Sequence, residues 1–174
     1  MQNIMTNYFL KKKNKINNIC EIGVMSGAST AAFYFFFPKS KLFSLDIRYR
    51  RFSVNSKRII KKYFDQSNIK SITKFKNETK KIKFDLIVDD GSHIDEHIIL
   101  TFENLISKVK KNGFYVIEDA SKELTPNTIK LIKSSKFKKL YKIKKIYVYK
   151  SEEGLELESK DGTKKNYIIF LQRK

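Results

Sequence analysis

The sequence predicts an α/β fold in which strands and helices alternate around a mostly parallel sheet. Short apolar runs recur along the chain with helical or mixed segments between them, a pattern typical of this class. Only two prolines and six glycines punctuate the 174 residues. Two apolar segments near the C-terminus, joined by a polar stretch, predict an antiparallel pair at the end of the sheet. We therefore expect about seven strands in one domain that spans residues 1–174.

The first half of the chain predicts three strands. NNICEIG (17–23) reads as the first, and ASTAAFYFFF (28–37) follows as a helix that its Ala and Phe residues should bury against the sheet. KLFSLDI (41–47) is the second strand. RIIKKYFDQS (58–67) suits a helix end or a strand, and its short apolar run before an Asp-Gln-Ser turn favours a third strand. NIKSITKFKNET (68–79) predicts a weak helix.

The clearest helix of the sequence follows the fourth strand. FDLIVDD (84–90) is a continuous apolar run, as in strands buried on both faces. In IDEHIILTFENLISKVKK (94–111), apolar residues recur at three- and four-residue spacing. Ser92 with Asp95 predicts a capping box at the start of this helix, and Asn112-Gly113 predicts its end. The apolar positions are Ile98, Ile99, Phe102, Leu105, Ile106 and Val109.

Three strands and a helix complete the prediction. GFYVIED (113–119) is the fifth strand, and TPNTIKLIKSS (125–135) is a helix with proline in its first turn. KKIYVYKS (144–151) and NYIIFLQRK (166–174) are the two strands of the terminal antiparallel pair.

The chain is strongly basic, with 37 Lys and Arg against 18 Asp and Glu and a formal charge of +19. Such a field attracts polyanions, so nucleic acid, anionic lipid and acidic glycans are open as partners. The joint abundance of Lys, Asn and Ile favours a compositional origin instead. The lysine clusters also lack the interleaved aromatic and glycine residues of a nucleic-acid module, so nucleic acid is not the favoured partner.

The sequence gives no sign of export or membrane insertion. The apolar runs are much shorter than the roughly 20 residues of a membrane span, and the N-terminal stretch lacks the order of a signal peptide. The single cysteine, Cys20, excludes an internal disulfide and a cysteine-based zinc cluster. We expect a cytoplasmic protein.

Acidic residues follow four successive predicted strands at their carboxyl ends. In an open parallel sheet, the ligand crevice lies outside those ends. Carboxylates crowded together are unfavourable unless a cation or hydrogen bonds compensate, so the pattern indicates a ligand. These residues are Asp46, Asp65, Asp89, Asp90, Glu118 and Asp119.

The turn after the first strand indicates the kind of ligand. EIGVMSGAS (21–29) places Gly23 and Gly27 where backbone must approach a ligand closely. Asp46, one strand later, suits hydrogen bonds to ribose hydroxyls, and Glu21 precedes the turn. The sequence has no GxxxxGK[ST] loop, which disfavours a phosphate-dominated ligand. A nucleoside without a phosphate over this turn is indicated, and S-adenosylmethionine fits best.

These motifs resemble parts of a known family. EIGVMSGAST…LFSLDI is similar to the cofactor-binding half of class I S-adenosylmethionine-dependent methyltransferases. DQSN…FDLIVDDGSHIDEHIILTFENLISKVKKNGFYVIEDA resembles one branch of them, the macrocin and mycinamicin sugar O-methyltransferases with the cephalosporin-hydroxylase-like proteins. The similarity runs from about Ile19 to Ala120. It implies a Rossmann-like, seven-stranded methyltransferase sheet with helices on both faces and strand seven antiparallel between strands five and six.

The resemblance also implies residue roles. Magnesium would be held by Asp90, Glu118 and Asp119, oxygen ligands of the kind Mg²⁺ prefers, and His93 would be the general base. Asp89 would lie by the methionine end of the cofactor, and Asp65-Gln66 near its adenine. The full set of predicted cofactor-binding residues is Glu21, Gly23, Val24, Ser26, Gly27, Asp46, Ile47, Asp65, Gln66 and Asp89.

Simpler interpretations exist for several of these residues. His93 alone could cap the helix that follows it, and His97 one turn on invites a zinc site, although no third nitrogen or sulfur ligand is evident. Glu118 and Asp119 could end a strand in solvent. The Phe35–Phe37 run suits a core or an interface better than base stacking. Cys20 is expected to be a buried thiol.

The sequence therefore predicts a Mg²⁺-dependent O-methyltransferase that acts on a hydroxyl of a sugar or other small polyol. The alternatives are an RNA methyltransferase that uses its basic surface, and a non-catalytic cofactor-binding subunit. Little sequence precedes the first strand, and the segment IRYRRFSVNSKR (47–58) is short and basic. The acceptor site is thus either open or completed by another subunit, which leaves a homo-oligomer open.

Overall fold

A computed structural model gives the structure for residues 8–50, 52–120, 125–150 and 165–174, with the side chains of 119, 120, 125–127, 147–150 and 165–167 outside the description. Seven strands form one sheet in the order β3-β2-β1-β4-β5-β7-β6. The strands are β1 (Asn18–Ile22), β2 (Lys41–Asp46), β3 (Ile59–Tyr63), β4 (Phe84–Asp89), β5 (Val109–Ala120), β6 (Tyr141–Lys150) and β7 (Lys165–Arg173).

Among the described residues, four α-helices join the strands. They are α1 (Ala28–Phe36), α2 (Ile69–Glu78), α3 (Asp95–Leu105) and α4 (Thr125–Ser134), and short 3-10 helices cover Leu10–Lys15, Ile106–Lys108 and Lys138–Leu140. Neighbouring strands from β3 to β5 pair in parallel, whereas β7 runs antiparallel between β5 and β6. The predicted seven-stranded sheet, the antiparallel strand seven between strands five and six, and the ambiguous third strand are confirmed. The predicted link between the last two strands is 152–165, and all of it except Lys165 lies outside the described residues.

The sheet has an apolar core on each face, because successive strand side chains point to opposite sides. On one face, Ile87 and Tyr115 pack with Ile72 of α2, Phe102 of α3 and Ile132 of α4. The other core contains Phe9, Ile16, Ile19, Phe37, Val88 and Val116. Helices on both faces are therefore confirmed, and Cys20 is the buried thiol that was expected.

The predicted ends of the helix after β4 are wrong. It begins at Asp95 with Ile94 as N-cap and has no side-chain capping bond, so Ser92 and Asp95 form no capping box. It ends at Leu105, because Val109 pairs with Phe84 in the sheet and so begins β5.

The Asn112-Gly113 pair lies within β5, not at a helix end. Asn112 has φ of +63°, and the register with β4 shifts here by several residues, which describes a bulge. A Cβ at Gly113 would lie 2.8 Å from the backbone oxygen of Asp85, so the close strand approach requires glycine. An Asn-Gly pair is compatible with a helix end and with a β-bulge, so the sequence alone does not distinguish the two.

Helix α1 is less buried than its composition predicts. Thr30 is its only fully buried residue, and Phe35 is 79% exposed. Phe37, just after the helix, is in the core. No helix among the described residues is long and apolar enough to span a bilayer.

Candidate functional site

Two cavities open at the carboxyl ends of the central strands and share a wall. The first, about 580 Å³, extends over the ends of β1, β2 and β3 to the loop after β4. The second, about 630 Å³, lies between α1 and the ends of β1, β4 and β5. The shared wall contains Gly23, Met25 and Asp90. The strand-end carboxylates are thus gathered around one edge of the sheet, as the parallel topology requires.

Two glycines allow the loop after β1 to fit beneath this edge. Gly23 and Gly27 both have φ of +85°, in the left-handed region that favours glycine. A Cβ at Gly23 would overlap the backbone oxygen of Asp90, and one at Gly27 would lie 2.6 Å from the Phe52 ring. The backbone at Gly23 therefore lies directly against the backbone of Asp90, which keeps the carboxyl ends of β1 and β4 close together.

Asp46, the last residue of β2, fixes the loops on both sides of the first cavity. Its carboxylate accepts from the N–H of Met25 at 2.7 Å and from the N–H of Arg48 at 2.7 Å. Ile47 beside it is 60% exposed and also lines this cavity. Met25 was missed by the sequence reasoning, although it lies inside the glycine loop. Met25 has φ of +43° and lines both cavities.

Glu21 is buried on the α1 face and lines the second cavity. Its Oε2 accepts from the Thr30 hydroxyl at 2.5 Å, and Ser44 lies 3.2 Å from that hydroxyl. Burial raises the pKa of Glu21 from 4.5 to about 7, against hydrogen bonds from Ser29 and Thr30 that lower it. The carboxyl is therefore partly protonated near neutral pH.

Asp65 and Gln66 follow β3 and line the first cavity. Asp65 closes a turn, since its Oδ1 accepts from the N–H and the hydroxyl of Ser67 at 2.9 and 2.7 Å. Gln66 is buried, and its Nε2 donates to Asp89 at 2.5 Å.

Asp89 lies apart from the other carboxylates. It shares a strand face with Ile87, and its oxygens accept from Gln66 and, at 2.8 Å, from the Tyr115 hydroxyl. It is 2% exposed and is absent from the described walls of both cavities. Burial raises the pKa of Asp89 to about 6, and these hydrogen bonds lower it.

The structure describes the side chains of three predicted metal and base residues, Asp90, His93 and Glu118. Asp90 and Glu118 both line the second cavity, and His93 lines the first, with its Nε2 4.0 Å from Asp90 Oδ1. His93 has φ of +57° and a side chain 40% exposed. The side chain of Asp119 lies outside the description, and the described side chains include no cluster of three metal-binding groups.

His97 extends this wall of the first cavity. Its Nδ1 lies 3.1 Å from the Ser92 hydroxyl, so it supports the loop that carries His93.

The two cavities divide the predicted cofactor-binding residues. The first is lined by Gly23, Asp46, Ile47, Asp65 and Gln66, and the second by Glu21, Gly23, Val24 and Ser26. Gly27 and Asp89 are absent from both described walls. Tyr115 was not predicted, because an apolar strand gives no sign that a hydroxyl within it meets a carboxylate.

Comparison with known proteins gives O-methyltransferases among the relatives of this chain. Mycinamicin VI 2''-O-methyltransferase of Micromonospora griseorubida is 29% identical over 127 positions, which cover 64% of this chain and 29% of that protein. Demethylmacrocin O-methyltransferase of Streptomyces fradiae is 30% identical over 119 positions, again 64% and 29%. The chain thus spans less than a third of the length of these curated relatives. No protein-family model matches it.

A solved structure matches nearly the whole chain. MycE methyltransferase from the mycinamycin biosynthetic pathway, in complex with Mg and SAH, aligns with a TM-score of 0.72 and 22% identity over 98% of this chain and 48% of that one. The fold is therefore that of a Rossmann-like methyltransferase. The chain resembles the class I S-adenosylmethionine-dependent methyltransferases of the macrocin and mycinamicin O-methyltransferase branch.

Proposed function

We propose that the protein is a Mg²⁺-dependent O-methyltransferase that moves a methyl group from S-adenosylmethionine to a hydroxyl of a sugar or similar polyol. One observation carries the proposal: Asp90 forms part of the wall between two cavities, beside His93 on one side and in the same cavity as Glu118 on the other. Donor and acceptor can then meet where the metal ligands and the base are. The similarity to sugar O-methyltransferases supports the reaction class.

The first cavity suits the nucleoside part of the donor. Asp46 and Asp65 bring carboxylates to its wall, and carboxylates accept hydrogen bonds from ribose hydroxyls. Ile47 and Phe64 supply apolar surface for a planar base. Gly23 allows the backbone to approach the rest of the donor closely.

The second cavity has the donor set for magnesium. Asp90 and Glu118 offer carboxylate oxygens at one wall, the hard ligands that Mg²⁺ prefers. Asp119 is the third ligand that the resemblance to the methyltransferase branch implies. A magnesium ion held by these residues would lower the pKa of the acceptor hydroxyl.

His93 would take the proton of the acceptor. Its side chain lines the first cavity with Nε2 4.0 Å from Asp90 Oδ1, and a neutral imidazole can accept a proton on its ring nitrogen. The acceptor oxygen attacks the methyl carbon in line as the carbon–sulfur bond breaks, and the sulfonium becomes a neutral thioether. The hydroxyl proton passes to the His93 ring. Asp90, 4.0 Å away, stabilises the positive charge that results.

The test is methyl transfer from labelled S-adenosylmethionine to a panel of glycosides, with magnesium and with chelator. Asp90→Ala should reduce the magnesium-stimulated rate at least about 100-fold, whereas calorimetry should show cofactor-product binding changed by less than about threefold. Glu96→Gln is the control, because this exposed carboxylate lies six residues away and is absent from both described walls. Full activity in Asp90→Ala or in chelator would refute the metal role, and no transfer to any glycoside would refute the acceptor class.

A further inference from the structure

A buried hydrogen-bond network joins three separate elements below the loop that carries Asp90 and His93. Gln66 comes from the loop after β3, Asp89 ends β4, and Tyr115 lies in β5. Asp89 accepts from Gln66 Nε2 at 2.5 Å and from the Tyr115 hydroxyl at 2.8 Å. All three side chains are 6% exposed or less, so water does not compete for these bonds.

Strand alternation separates this network from the metal residues. Ile87, Asp89 and Tyr115 point to the face covered by α2, α3 and α4, whereas Glu118 lines the cavity on the α1 face. Asp90 follows Asp89 in the chain and so turns towards the cavities. Adjacent aspartates thus have different surroundings, which suits them to different tasks.

The network also forms a hydrogen bond with the backbone of the loop that carries Asp90 and His93. Gln66 Oε1 accepts from the N–H of Ser92 at 2.8 Å. A side chain at Gly91 would overlap Gln66 Oε1. His93 comes next with φ of +57°, a conformation that a non-glycine residue adopts only when its surroundings hold it there.

We propose that Gln66, Asp89 and Tyr115 are positioning residues that fix the backbone of residues 90–93, and that Asp89 has this role in place of a contact with the cofactor. The inference rests on the proposed function for the roles of Asp90 and His93. The network itself does not depend on that function, because it is defined by its hydrogen bonds alone. It predicts that the amide of Ser92, which lies in an irregular loop, exchanges slowly with solvent.

Tyr115→Phe and Gln66→Leu test the proposal, with Tyr141→Phe as a matched control. Tyr141 is also buried and packs edge-on against Phe102, as Tyr115 does, but its hydroxyl donates to Ile132 O. Both tyrosine variants lose one buried hydrogen bond, and only one of them touches the network. Hydrogen exchange of Ser92 is measured against that of Val88 in β4, together with kcat, KM and the affinity for the cofactor product.

We expect Tyr115→Phe and Gln66→Leu to speed exchange at Ser92 at least about tenfold relative to Val88, and to lower kcat about tenfold or more. Tyr115→Phe should leave the affinity for the cofactor product within about threefold of the wild-type value. Tyr141→Phe should neither speed exchange at Ser92 relative to Val88 nor lower kcat. Fast exchange of the Ser92 amide in the wild-type chain, or equal effects of the two tyrosine variants, would overturn the proposal. If the wild-type chain transfers no methyl group, the proposed function fails and the exchange results alone decide on the network.

Discussion

Replacing Glu21 with glutamine is expected to remove a pH dependence from the stability of the protein. Glu21 is 3% exposed, and burial raises its pKa from 4.5 to about 7. The folded state therefore binds more protons than the unfolded state between these two values. Because protons favour the folded state there, the stability that depends on Glu21 is full below about pH 4.5 and is lost as pH rises to about 7.

The structure sets the size of the effect. The difference between 4.5 and about 7 corresponds to about 3 kcal/mol at about 1.4 kcal/mol for each pKa unit. Glutamine has nearly the same shape and does not titrate, and its side-chain oxygen can accept from Thr30 as Glu21 does. At about pH 4 the two proteins should be similarly stable, and at about pH 8 Glu21→Gln should be more stable by about 3 kcal/mol.

Urea unfolding of both proteins across this range measures the difference directly. The contributions of groups that titrate in both proteins cancel when the free energy of unfolding of one protein is subtracted from that of the other at each pH. Carbon-13 NMR of the Glu21 carboxyl gives a second, local measurement of its pKa. A difference curve that stays flat within about 0.5 kcal/mol, or a carboxyl midpoint near 4.5, would refute the reasoning.

Two matched pairs of variants, both measured by urea unfolding, test the packing of the glycine loop after β1 and the burial of the phenylalanines at the end of α1. Gly23→Ala is expected to lose about 3 kcal/mol or more, since its Cβ meets rigid backbone, and Gly27→Ala only about 1–2 kcal/mol, since the Phe52 ring can turn aside. Equal losses would contradict the packing of this loop. Phe37→Ala should lose about 3–5 kcal/mol and Phe35→Ala less than about 0.5 kcal/mol, because the first ring is 1% exposed and the second 79%. A large loss at Phe35 would mean that another surface covers it.

Much of the site followed from the sequence because its main signals are local. Apolar runs predicted the strands, and parallel strands necessarily bring their carboxyl ends to one edge, so Asp46, Asp90 and Glu118 were expected to gather there. The glycine loop also signalled a close approach, although not the partner of each glycine. Gly23 passes over the backbone of Asp90, which only the assembled sheet brings within reach.

The remaining features depend on which residues become neighbours. The sequence alone determined the kinds of elements, their order and the end of each strand where acids lie, since these follow from periodicity along one segment. The tertiary structure decided that Asp89 faces Tyr115 and Gln66, that Asn112 belongs to a bulge and that Phe35 stays exposed. Strand register and helix packing join residues far apart in the chain, and periodicity within one segment carries no information about the partner that another segment supplies.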